Sequence, residues 1–392
     1  MRGHTEFQEE RGGPRAGGVL IRLAHDTRLR LAVLQVLMLA VVLGGVWWLA
    51  HNTIANLSAR GITGGFGFLG RTARFPIAES VLAYRPTDSF GWAFLVGLGN
   101  TLFLTVIVVA ASTILGLGVA LARRSAHPLL AGAGTAFVEA LRNTPLVVQL
   151  LFWYAAATLG LPNIHAALTP VVGVILADRG LYLPRPVIVG DAGPFLATLV
   201  TGAVATGLAA WLARRHVRWT VLVAALAVAA VWLHGGLSWS LDRPAMGRFN
   251  VTGGISLSPE FMAVFIGLLL YSAAFSGEII RGGIDAVDRG QWEAARALGL
   301  DEGTVLRRII IPQALRVIIP PMTTQVINIA KNTTLALAVG YPDIALVTAT
   351  TINQTGQAVE GIVILMLVFL SLSVAASVLM GWYNRRIALV TR

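Results

Sequence analysis

The chain has 392 residues, 56% of them hydrophobic and 12% charged, with a formal net charge of +11 and no cysteine. Soluble domains carry about 25% charged residues, so the composition is that of an integral membrane protein rather than a soluble enzyme. Without cysteine there are no disulfides, thiolate metal sites or thiol catalysis, and the positive charge fits basic residues gathered on the cytoplasmic side of a membrane better than nucleic-acid binding.

About 20 apolar residues cross the hydrocarbon layer. Eight segments meet that length approximately: 31–50, 93–122, 135–160, 194–213, 219–235, 260–281, 317–340 and 361–382. The expected fold is all-α, a polytopic helical bundle. Residues 1–30 form a polar, Arg-rich tail. It is long for a signal n-region and lacks a clean small-residue cleavage site, so 31–50 reads as a retained anchor helix. A Gly-rich loop, GITGGFGFLG, follows at 61–70.

In 93–122, Gly116 and Gly118 read as points of close helix packing. In 135–160, Glu139 and Arg142 are three residues apart and can pair on one helix face, as a gate or as a structural ion pair. Pro145 is expected to kink that helix, and Gln149 follows on the same side. Residues 161–259 read as an insertion. It has a loop with five prolines (Pro162, Pro170, Pro184, Pro186 and Pro194), two Ala/Val/Leu-rich helices, and a second loop.

Segment 260–281 ends near Glu278 and Arg281, read as structural or as part of a docking surface. A polar loop over 285–312 comes next. Gln291 to Leu298 favours helix through its Ala and Glu content. Gly299 permits a sharp turn. Thr304 to Ile311 forms a second short helix, expected to end near Pro312. Small Ala294 and Ala295 allow close approach, and Glu293 can accept hydrogen bonds or pair with Arg. The result is a compact knob.

In 317–340, Thr324, Asn328 and Lys331 recur at helical spacing and share one face, with Gln325 and Asn332 beside it. Lys331 is the only lysine among 30 basic residues. It lies about 14 residues into the segment, roughly 21 Å along it. Such a stripe can line a substrate pathway, with the ammonium balancing a carboxylate. Equally, Lys331 can snorkel or tie helices together. A phosphate-binding loop needs Gly-Lys-Ser/Thr, but Lys331 stands between Ala330 and Asn332. The histidines are scattered, with no spaced metal pair and no recognisable Ser/His/Asp set.

With the N-terminus in the cytoplasm, cytoplasmic stretches hold twenty basic residues and the other side eight. That difference favours this orientation, and eight spans return the C-terminus to the cytoplasm. The knob then lies on the cytoplasmic side.

The loop carries Glu293-Ala-Ala295, then Gly299, then nine residues, then Ile309-Ile-Ile-Pro312. This spacing resembles the coupling loop of ABC-importer permeases, with Ile311 where that family usually has Leu. The stretches Gly97-Leu-Gly-Asn-Thr-Leu-Phe-Leu-Thr105, Glu139 to Gln149, Ser272 to Gly283, Pro312 to Arg316 and Lys331 to Leu335 resemble the polar amino-acid permease family. The resemblance covers 93–160 and 260–385. The added 1–92 and 161–259 look like the larger permease of general L-amino-acid importers.

The resemblance implies a five-helix permease core, split between 93–160 and 260–392, in a bacterial inner membrane. It implies Gln291, Glu293, Ala294, Ala295, Gly299, Ile309 and Pro312 as the ATPase-coupling loop. Thr324, Asn328, Lys331 and Gln149 are the candidate substrate pathway. No cofactor is expected on this chain, since ATP would be used by a partner ATPase dimer. A second permease, with which the chain forms a heterodimer, a periplasmic amino-acid-binding protein and an amino-acid substrate are the other implied partners. The alternative is a secondary transporter independent of an ATPase, which typically shows internal repeats that this chain lacks.

Overall fold

A computed structural model describes residues 27–59, 64–189, 238–247 and 250–387. The chain divides into two compact units, one of residues 1–68 with 355–360 and one of 69–354 with 361–392. In the first unit, α1 (Thr27–Ala59) is apolar and exposed along its span. There the Gly65 N–H donates to Glu360 Oε1 at 2.5 Å.

The second unit is built around α2 (Phe90–Arg123) and α5 (Pro259–Asp285). Both start on a serine cap. Ser89 Oγ accepts from the Trp92 N–H, and Ser258 Oγ from the Phe261 N–H, satisfying donors that a helix start leaves open. The two helices cross where Gly116 meets Gly277. A Cβ on Gly116 would lie 2.9 Å from the Gly277 nitrogen. Small residues let helices approach this closely in a membrane. Gly118, expected to share this role, has open space where its Cβ would be.

Segment 135–160 is two helices, not one kinked span. α3 (Pro128–Asn143) stops at Thr144, whose backbone is extended, and α4 (Leu146–Leu159) starts beyond Pro145. The residue before a proline is pushed out of the helical region, which breaks the helix outright. Leu150 of α4 closes on Gly267 of α5, where a Cβ would lie 2.6 Å from Leu150 Cδ2. Leu104, Val108, Leu146, Leu150, Val264, Leu268, Ile329 and Tyr341 form the main buried apolar cluster.

After α5 come α6 (Arg289–Ala297) and α7 (Glu302–Val305), a π-turn (Leu306–Ile310) and α8 (Ile311–Asn332). A 3₁₀ stretch (Thr333–Val339) and Gly340, at φ +85°, end this rod. α9 (Ile344–Thr355) then leaves at 51°. The last helix is α10 (Ala358–Ile387).

The flanks of the insertion are short strands rather than plain loops. β1 (Ile175–Ala177), β2 (Gly180–Leu183) and β7 (Ile255–Leu257) form an antiparallel sheet in the order β1-β2-β7. β3 (Arg185–Val189) pairs β4 (Ser238–Asp242), and β5 (Ala245–Met246) pairs β6 (Val251–Thr252). Val189 and Ser238 are directly paired, so the chain returns to the point from which it left.

Among the described residues, four helices are long and apolar enough to span a membrane, five if the bent rod with α9 is one span. The expected spans 194–213 and 219–235 lie outside the described residues.

Candidate coupling surface and polar face

The knob is made by local sequence. Asp288 Oδ1 accepts from the Gly290 N–H at 2.6 Å, starting α6. Its C-terminal end is a Schellman turn: the Leu300 N–H reaches Ala295 O and the Gly299 N–H reaches Arg296 O. Gly299 takes the left-handed conformation this turn requires, at φ +70°. Asp301 caps α7, its two oxygens accepting from the Thr304 N–H at 2.9 Å and the Thr304 hydroxyl at 2.7 Å. Those hydrogen bonds hold the Asp301 carboxyl below the ordinary aspartate value. The signal for this cap in the sequence is an Asp three residues before a Thr at a helix start.

The second knob helix does not end near Pro312. The Ile311 N–H donates to Leu306 O, five residues back, so the helix widens by one residue into a π-turn and continues. Proline lacks an N–H and crowds the carbonyl four residues earlier, and the wider turn accommodates both defects. Pro312 therefore lies in the first turn of α8.

Ala295 is buried and belongs to one apolar cluster with Val305, Ile310, Ala314 and Ile318, with Ile280 and Ile284 of α5 and Val287 just beyond it, and with Ala120 of α2. Ile309 and Trp292 pack against this cluster. Gln313 Nε2 donates to Gln291 Oε1 at 3.2 Å, tying α8 to α6. Glu293, Ala294 and Leu298 are exposed on the knob's free side. The base of the knob is thus part of the helix core, and its tip is open.

A charge network near the same end joins α2 to α5. Glu278 pairs with Arg123 and, at 2.5 Å, with Arg281; Asp285 pairs with Arg124 and, at 3.0 Å, with Arg281. Sequence reading placed Glu278 and Arg281 here but missed Arg123, Arg124 and Asp285 as their partners.

Thr324, Asn328 and Lys331 share one exposed face of α8. Lys331 opens onto a groove of about 630 Å³ walled by apolar residues of α10, among them Met366 and Leu370. Gln149 is elsewhere in the packing. It is buried, and its Nε2 donates to Leu141 O at 2.9 Å and Thr144 O at 3.0 Å, carbonyls freed by the break at Pro145. Glu139 and Arg142 do not pair. Both are exposed, and the Arg142 guanidinium lies over the Phe275 ring at 4.8 Å, a cation–π contact with α5.

Asn100 is a further polar residue that the sequence did not single out. It is buried in α2. Its Nδ2 donates to Pro342 O at 2.8 Å and Glu79 O at 2.9 Å, and its Oδ1 accepts from the Val81 N–H at 3.0 Å. One side chain thus ties the loop before α2 to the bend before α9.

Residues 112–389 match the family described as binding-protein-dependent transport system inner membrane component. YhdX of Escherichia coli K12, a putative amino-acid ABC transporter permease, is 43% identical over 380 residues, covering 93% of this chain and 95% of that protein. AapQ of Rhizobium johnstonii, a general L-amino acid transport system permease, is 37% identical over 94% of both chains. BztB of Rhodobacter capsulatus, from a glutamate/glutamine/aspartate/asparagine transport system, is 34% identical over 97% of this chain and 98% of that one.

Proposed function

The chain belongs to the family of binding-protein-dependent transport system inner membrane components, and from that premise we propose how its parts serve transport. It is the permease subunit of an amino-acid ABC importer, as its relatives along nearly the whole length are named. Residues 93–160 and 260–392 form the permease core, with 1–92 and 161–259 as additions. The N- and C-termini lie in the cytoplasm, in a bacterial inner membrane. ATP is bound and split by two partner ATPase subunits, and a periplasmic binding protein delivers the amino acid.

The observation that carries this reading is the continuity of the knob with the core. An ATPase that moves the exposed tip at Glu293, Ala294 and Gly299 acts on a helix that runs unbroken through Ile309 and Pro312 into α8. Buried Ala295 keeps α6 on the same cluster, so a push at the tip moves helices rather than a loose loop. Packed elements of this kind shift as rigid bodies.

A polar face with an ammonium group inside a span is costly against lipid. A second permease covering Thr324, Asn328 and Lys331 removes that cost and makes the face one wall of a shared substrate pathway. One knob per chain also calls for two permeases under an ATPase pair.

The test is uptake into proteoliposomes holding this chain, its second permease and the ATPase, with binding protein outside and ATP inside. Amino-acid uptake is expected only with ATP and the ATPase. Uptake that persists without the ATPase would instead establish a secondary transporter.

A further inference from the structure

α5 has 27 residues and is about 40 Å long, with the knob beyond its C-terminal end. At its N-terminal end, beside Ser258, is a cavity of about 430 Å³, large enough for one small ligand. Its wall comes from segments far apart in sequence: Glu79 before α2, Arg179 and Tyr182 at β2, Arg185 on β3, and Asn250 and Ser256 near the last strands.

The chemistry of this wall is specific. It carries two guanidinium groups and one carboxylate. Arg185 donates to Asp242 Oδ2 at 3.1 Å, and a guanidinium has five N–H donors in a fixed fork suited to a carboxylate. Tyr182 is buried and its hydroxyl donates to Asn250 Oδ1 at 3.2 Å, which fixes the wall between the two arginines. Glu79 Oε2 accepts from Ser258 Oγ at 2.5 Å. Even so, burial holds the Glu79 carboxyl above the ordinary glutamate value. A cation beside it would offset that cost. Gly254, at φ +69°, closes the rim against β2, where a Cβ would lie 2.4 Å from Leu183 O.

We infer that this cavity holds an α-amino acid as its zwitterion, with the carboxylate on Arg179 and Arg185 and the ammonium at Glu79. The inference rests on the amino-acid importer reading and adds a waiting site outside the span, about one α5 length from the knob. Opposite charges presented by separate segments match a ligand that carries both on neighbouring atoms. An anion alone would leave Glu79 uncompensated.

The experiment uses the full chain in lipid nanodiscs, without partners, and labelled L-glutamate, L-glutamine and L-leucine as probes. Saturable binding of at least one probe is expected. Arg179→Gln and Glu79→Gln are each expected to weaken it at least tenfold, while Arg71→Gln, at an exposed arginine outside the cavity, retains it. Arg179 is exposed and Gln at 79 can still accept from Ser258, so both variants should fold, which their thermal midpoints check. Binding unchanged in both variants, or weakened equally in Arg71→Gln, overturns the assignment. In a separate titration with the binding protein added, weaker docking of these variants at unchanged amino-acid affinity gives the cavity to that partner and also overturns the assignment. ATP-driven uptake by the complete wild-type complex is measured in parallel. Uptake without binding to the isolated chain overturns the cavity alone, whereas no amino-acid uptake at all overturns the importer reading.

Discussion

A Cβ on Gly283 would lie 2.2 Å from Ile318 Cγ1, so α5 and α8 meet there with no side chain on the α5 side. In the proposed coupling mechanism this contact would pass movement of the knob to α5, because α8 continues the knob's second helix. Gly283→Ala must displace Ile318 or separate the helices, and overpacking of this kind costs about 1–3 kcal/mol. The expected result is a lowered thermal midpoint in detergent and slower ATP-driven uptake. Adding Ile318→Ala should recover part of both losses. A Gly283→Ala protein with unchanged midpoint and uptake would show that the contact is loose.

Gly299 presents the opposite case. Nothing lies within 4 Å of its missing Cβ, so its requirement is conformational only. Gly299→Asn should therefore transport almost normally, since Asn tolerates the left-handed region, and Gly299→Ala should cost roughly 1–2 kcal/mol locally. Gly299→Pro fixes φ near −65° and removes the N–H given to Arg296 O. That variant is expected to insert normally but to lose uptake and transport-coupled ATP hydrolysis. Normal uptake by it would end the coupling assignment.

The knob was legible because its determinants are local. Gly299, the Ala-rich turn before it and the following Asp301 lie within a few residues of each other, and each acts on backbone next to it. Pro312 misled for the same reason. A proline reads as a helix end until the register shift at Leu306 is seen, and no residue type announces a π-turn. Arg142 misled because its partner, Phe275, is on another helix, while Glu139 was the nearest charge in sequence. The pairing of β2 with β7 joins residues about 75 apart across an apolar stretch, which periodicity cannot connect. Asn100 looked like one polar residue in a span, and its three backbone partners come from two distant segments.

Glu79 gives a pH prediction. Its carboxyl is raised above the ordinary glutamate value of 4.5, chiefly by burial. The folded chain then binds this proton more tightly than the unfolded chain. The stabilisation is full below the ordinary value and is lost as pH rises through the raised one. In Glu79→Gln the group no longer titrates. The midpoint of the variant relative to wild type should rise as pH increases from below 4.5 through the raised value. A difference that stays flat over that range, followed by thermal unfolding in detergent, would mean that the carboxyl is not held up by burial.

Lys331 decides between the two readings of the polar face. If it only snorkels or ties helices, Lys331→Ala should change stability and leave transport kinetics alone. If its ammonium meets the substrate carboxylate, one charge-assisted contact is removed. Such contacts are worth about 1.5–3 kcal/mol, or on the order of tenfold to a hundredfold. The expected result is a loss of that size in kcat/KM for uptake, with assembly of the complex intact. Lys331→Arg keeps the charge on the same exposed face as Thr324 and Asn328, but guanidinium geometry differs from that of an ammonium, so it should recover only part of the activity. Wild-type kinetics in Lys331→Ala would return the residue to a structural role and leave Thr324 and Asn328 as the polar groups of that wall.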